Sequence, residues 1–223
     1  MKIQLGSKRA TQFLVTAMFL FWVSYAQSAN FSFTGTFTRD DNVQLFGFGL
    51  SSAGAVTIRT FAYNGGTNSA GTVIPAGGFD PTVALYNLST GALLGFNDDG
   101  SVPPLTINPT TGFAGDSLLT LNLAAGNYRV ALTEFDNVPN GNFSAGFFEQ
   151  GKGNFTPGLT GCPATAFCAV SNNAPFFSVR NGNWALDILG ATGTFALTPE
   201  PASYLLFAFG LVALGLLRKR EII

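Results

Sequence analysis

Residues 118–132 read LLTLNLAAGNYRVAL, and this stretch sets the fold class. Leu119, Leu121 and Leu123 share one parity, with Thr120 and Asn122 opposite, and a second alternating run follows Gly126-Asn127. A period of two marks strands that bury one face only. Gly and Asn tolerate positive φ, so the stretch predicts a β-hairpin turning at 126–127.

The same alternation recurs outward from it. Phe31, Phe33 and Phe37 lie on one parity, and Val56 and Ile58 alternate with Thr57 and Arg59. Further strands are expected at 43–50, 82–88, 93–96, 184–189 and 194–197. About eight short strands without an amphipathic helix predict an all-β protein, a two-sheet, jelly-roll-like β-sandwich over residues 30–198. An immunoglobulin-like sandwich is the alternative, although the Cys-Trp-Cys spacing of true immunoglobulin domains is absent.

Composition agrees. The 223 residues are 47% hydrophobic but only 10% charged, with 23 Phe and 27 Gly, which is poor material for solvated helix faces and good material for strands and tight turns. No histidine is present, which removes the commonest general base and metal ligand. Lys2, Lys8, Arg9, Arg218, Lys219 and Arg220 sit in the terminal segments. Between them, Arg39, Arg59, Arg129, Lys152 and Arg180 face twice as many acids, so the body offers no positive field for nucleic acid.

The two ends read as an export address and a membrane segment. Basic residues, an apolar run at 13–23 and small residues at 24–29 follow the order of a signal peptide over residues 1–28, cut after Ala26 or Ser28. An uncleaved anchor is the alternative, and the body is exported either way. Residues 202–217 are almost wholly apolar and as a helix would cover about 24 Å, just enough for a transmembrane helix. Arg218, Lys219 and Arg220 would remain on the cytoplasmic side. Pro199 and Pro201 keep the preceding residues extended and accessible.

Pro199-Glu200-Pro201, the apolar helix and the basic cluster, in that order, resemble the PEP-CTERM sorting signal of Gram-negative bacteria that make extracellular polysaccharide. The resemblance implies that residues 199–223 are recognised at Pro-Glu-Pro and processed by a membrane-embedded exosortase. An inner-membrane intermediate would then give way to a protein of the cell surface or extracellular matrix, associated with exopolysaccharide.

In the body, the runs 39–46 (RDDNVQLF), 79–86 (FDPTVALY), 97–100 (NDDG) and 123–130 (LAAGNYRV) resemble the bacterial pre-peptidase C-terminal domain. That family is a β-sandwich of secreted proteins, often an accessory module for adhesion or substrate binding, and some members bind calcium.

Candidate chemistry is sparse. Asp98 and Asp99, joined by Asp40, Asp41 and Asp80, are candidate calcium ligands, because Ca²⁺ takes six to eight oxygens with carboxylates among them. The run lacks EF-hand spacing, and Asn-Asp and Asp-Gly form turns without any metal. Glu134, Asp136 and Glu149 are the acids a secreted carbohydrate-active hydrolase would use, but nothing fixes their separation, and solvated loop acids are the simpler reading. Cys162 and Cys168, in an exported loop, are expected to form a disulfide. Phe143, Phe147, Phe148, Phe155, Phe176 and Phe177 read as core, with a sugar-stacking platform as the alternative. The expected function is binding or structural, without catalysis.

Overall fold

The computed structural model describes residues 28–100, 107–108 and 110–197. The expected signal segment, the Pro-Glu-Pro motif, the expected transmembrane helix over 202–217 and the basic cluster fall outside the described residues.

The chain runs through β1 (Ala29–Thr36), β2 (Gln44–Leu50), β3 (Gly54–Thr60), β4 (Gly66–Thr67), β5 (Val73–Ile74), β6 (Pro81–Asn87), β7 (Leu93–Asn97), β8 (Leu118–Leu123) and β9 (Gly126–Glu134). A 3₁₀ turn at Phe143–Ala145 and a short helix α1 (Thr156–Thr160) follow. The last strands are β10 (Cys168–Val170), β11 (Phe177–Val179), β12 (Asn183–Ala191) and β13 (Gly193–Phe195). A four-stranded sheet in the order β1-β12-β3-β8 packs on a five-stranded sheet in the order β13-β2-β9-β6-β7, and β4-β5 and β10-β11 form separate two-stranded ribbons. Every strand pair within the two sheets is antiparallel. The fold is an all-β sandwich.

Alternation decides what fills the space between the sheets. Val56, Ile58, Leu186 and Ile188 of one sheet meet Phe46, Phe48, Val83, Leu85, Val130 and Leu132 of the other in one continuous core. Each such side chain contributes about 2 kcal/mol by leaving water. The rings of Phe46 and Trp184 stack edge-on at 5.8 Å across the two sheets, and Phe33 lies 4.8 Å from Phe46. A smaller cluster of Ala84, Tyr86, Ala131 and Phe147, with Phe143 beside it, covers the outer face of the five-stranded sheet. This second cover leaves β6 buried on both faces, which its polar/apolar pattern at Thr82 does not announce.

The expected hairpin at 118–132 does not form. The strands of that stretch lie in different sheets: β8 pairs with β3 at the edge of one, and β9 lies between β2 and β6 in the other. The alternation is as expected, but the link 124–125 is a corner that crosses the sandwich, fastened where the Tyr128 hydroxyl donates to the Ala124 carbonyl at 2.8 Å. Both arrangements point Leu119, Leu121, Leu123, Val130 and Leu132 inward, so the period of two does not separate them. The expected strand at 194–197 is shorter, ending at Phe195. The ribbons β4-β5 and β10-β11 had no signal in the sequence.

Among the expected core aromatics, Phe147 is buried and Phe143 packs against it. Phe148 and Phe176 stay exposed.

Candidate functional site

Register gathers the body's acids at one end of the five-stranded sheet. Pro81 opens β6 opposite Glu134 at the end of β9, and Asn97 closes β7 opposite Val83. Asp80, Asp98, Asp99 and Glu134 therefore share one rim, and Asp116 enters it from the segment before β8.

Asp116 is fully buried and its carboxylate is saturated. It accepts from the Thr60 hydroxyl at 3.0 Å and from the backbone amides of Ala62 at 2.6 Å, Tyr63 at 3.2 Å and Asn64 at 2.7 Å. Burial raises its pKa, and these four hydrogen bonds hold the rise back. It thus ties the chain after β3 to the start of β8.

The NDDG run ends β7 at Asn97, bends at Asp98 and is fastened by Ser117. Its hydroxyl lies within 2.7 Å of the carbonyl oxygens of Asn97 and Asp98 and 2.6 Å from that of Pro81, while Leu118 N–H donates to the Asn97 side chain at 2.7 Å. Asp98 accepts from the Thr82 hydroxyl at 2.7 Å.

Asp80 and Glu134 are different. Glu134 is fully buried and neither of its carboxylate oxygens has a hydrogen-bond partner in bonding geometry; Oδ1 of buried Asp80 has none either. Burial, then the charges of Asp80 and Asp40, push the Glu134 pKa well above the usual range; the nearby Asp80 backbone N–H, outside ideal bonding geometry, and Arg180 offset this only in part. Burial, then Asp98, Asp99 and Asp116, do the same to Asp80. Asp99 is pushed up to about 6 by burial and by Asp98. The cation acting on this rim, Arg180, lies 3.5 Å over the Tyr63 ring and donates to the Tyr63 carbonyl at 2.7 Å. Burial therefore disfavours the charged form of these carboxyls, most strongly at Glu134 and Asp80.

The five candidate calcium residues divide between two places. Asp80, Asp98 and Asp99 belong to this rim, whereas Asp40 and Asp41 anchor the segment 153–168. Asp40 accepts from Thr156 N–H at 2.8 Å, its hydroxyl at 2.6 Å and Phe167 N–H at 2.7 Å, and Asp41 accepts from Gly153 N–H at 2.9 Å and pairs with exposed Arg39. Among the described residues, no three His, Cys, Asp or Glu side chains form a group that could hold a metal ion. Cys162 and Cys168 are joined in a disulfide within the same segment. Exchanging Asp40 for Ala is expected to strip hydrogen-exchange protection from the amides of Thr156, Phe167 and Cys168 by at least about tenfold, while the core of β9 stays protected. Equal protection in both proteins would mean that the disulfide alone orders the segment.

The three acids of the hydrolase alternative lie in different surroundings. Glu134 has no exposed surface with which to meet a polymer, Asp136 is exposed at φ 65°, and Glu149 pairs with Lys152 at 2.9 Å.

What the rest of the chain adds is an address. The sequence matches a family model described as the PEP-CTERM protein-sorting motif. Residues 197–220 carry that motif. It takes in Pro199, Glu200, Pro201, Arg218, Lys219 and Arg220, and it begins two residues after β13 ends at Phe195. A PEP-CTERM motif implies exosortase-dependent export of a protein to the cell surface. No curated protein matches the sequence. Among solved structures, the chain is similar to the pre-peptidase C-terminal domain of a collagenase from Bacillus anthracis, at 10% identity and a TM-score of 0.34, over 72% of this chain and 87% of that one. No described helix is long and apolar enough to cross a membrane.

Proposed function

We propose that this protein is a non-catalytic surface or matrix protein whose jelly-roll-like body does binding or structural work associated with exopolysaccharide. The observation that carries the reading is the PEP-CTERM motif at 197–220, joined to a folded β-sandwich without an intervening domain. The strand order supports the jelly-roll description, because successive long strands alternate between the two sheets except where β6 and β7 pair directly. The complete burial of Glu134 supports a body without glycosidase chemistry, since that chemistry requires two carboxyl groups flanking the substrate. In this reading helix 202–217 holds the chain in the inner membrane until exosortase processes the tail.

Replacing Glu200 with Ala tests the sorting step. The expected result is a full-length chain that accumulates in the membrane fraction, seen by immunoblot of fractionated cells, with at least about a tenfold loss of the released form. Release at the wild-type rate would defeat the reading.

A further inference from the structure

Two grooves meet on the open edge of the sandwich. The larger, about 870 Å³, lies between β1, the free end of β2 and the chain at 194–197. The smaller, about 310 Å³, reaches Pro75, Ala76, Asn181 and Asn183. Residues 34–36 of β1 and Trp184 line both, so the two form one cleft that passes across the end of β1.

The edge is open for a reason visible in the register. Among the described residues, β1 ends its sheet, and β13 covers β2 only at Gly47–Gly49, with no strand beside Gln44, Leu45 and Phe46 on that side. Two glycines shape the surface. A Cβ at Gly35 would enter the Trp184 ring, and one at Gly47 would enter the Phe195 ring, so both rings lie flat on backbone. Trp184 is sunk in the floor, whereas Phe195 is 38% exposed at the rim.

Among the described residues, no Asp, Glu, Lys or Arg lines either groove. Thr34, Gln44 and Thr194 place hydroxyls and an amide beside the aromatic surfaces, whereas the Ser32 hydroxyl donates to Asp187 and the Asn183 side-chain carbonyl accepts from Thr36. Neutral hydrogen-bonding groups beside flat rings suit a ligand that is itself neutral, rich in hydroxyls and apolar on its C–H faces. A peptide adding to a free strand edge would run along that strand, but this cleft turns across β1.

We propose that this cleft binds a neutral, extended glycan chain. The inference rests on the polysaccharide-associated role proposed above and gives that role a location. Phe195 provides the stacking face, and Thr34 stands where the two grooves join.

Affinity electrophoresis of the full-length chain in detergent tests this, with dextran or laminarin as the neutral glycan and alginate as the polyanion. A neutral glycan is expected to retard the protein. Thr34→Lys and Phe195→Ala are each expected to weaken that retardation by about tenfold, the scale of one lost stacking or fitting contact. Phe176→Ala, outside the cleft, should leave it unchanged. If Phe195→Ala lowers the melting temperature, Thr34→Lys alone decides, since an edge-strand lysine is well tolerated. Retardation that neither variant weakens would remove the cleft but leave the polysaccharide reading standing. Retardation by alginate alone would overturn the neutral ligand, and retardation by none would overturn both readings. New amide protection at Gln44–Phe46 on adding a strand-forming peptide, without glycan binding, would reassign the cleft to a peptide.

Discussion

Asp116→Ala is expected to unfold the body, or to leave it folded only in the absence of denaturant. The change strands three buried amides, those of Ala62, Tyr63 and Asn64, and the Thr60 hydroxyl. At about 1–3 kcal/mol for each buried group left without a partner, the loss is about 5 kcal/mol. That is a large part of the roughly 5–15 kcal/mol by which domains are stable. Asp116→Asn keeps one acceptor oxygen but turns an NH₂ toward an amide donor, so it should fall between the two. Urea unfolding followed by tryptophan fluorescence checks the order, Trp184 being in the core. A midpoint for the Ala variant within about 0.5 M of wild type would show that water replaces the carboxylate, against the cost expected for buried donors.

The second large effect concerns pH. Unfolded glutamate titrates near about 4.3 and aspartate near about 3.9. In the folded protein Glu134 and Asp80 are raised well above those values and Asp99 is raised to about 6. In the window between unfolded and folded pKa, the folded state keeps a proton that the unfolded state has released. Stability from these groups is therefore complete below the unfolded values and is lost as pH rises through the folded ones. The body should melt higher at pH 5 than at pH 8. Glu134→Gln removes the ionisation while keeping the shape. It should flatten the pH profile and raise the melting temperature at pH 8 by about 3 °C or more, about 1 kcal/mol for a domain of this size. Parallel profiles for the two proteins, measured by thermal melts from pH 4 to pH 8, would sink the argument.

The sequence was informative wherever a rule is local. Alternation at 118–123 and 184–189 placed strands that are present, with boundaries shifted by a residue or two. The NDDG run, read as a turn, instead ends β7 at Asn97 and bends at Asp98, and Ser117 holds it in place. Residues 40 and 41 were legible only as acids. Their partners, Thr156, Phe167 and Gly153, lie more than a hundred positions away, and no spacing rule reaches that far. Phe195 and Trp184 could be counted as aromatic, but that they lie over Gly47 and Gly35 beside an open edge depends on which strands end each sheet.

By itself, then, the sequence determined the all-β class, the acidic body without histidine and the motif that directs the tail, because composition, period and a contiguous signal are properties of neighbouring residues. The tertiary structure alone decided that LLTLNLAAGNYRVAL turns a corner between two sheets instead of folding back within one. An inward-facing leucine looks the same from either arrangement, and only the partners of β8 and β9 distinguish them. The same topology brings Asp80 and Glu134 to one buried rim and leaves β1 at the end of its sheet and residues 44–46 of β2 outside the pairing with β13, where the cleft opens.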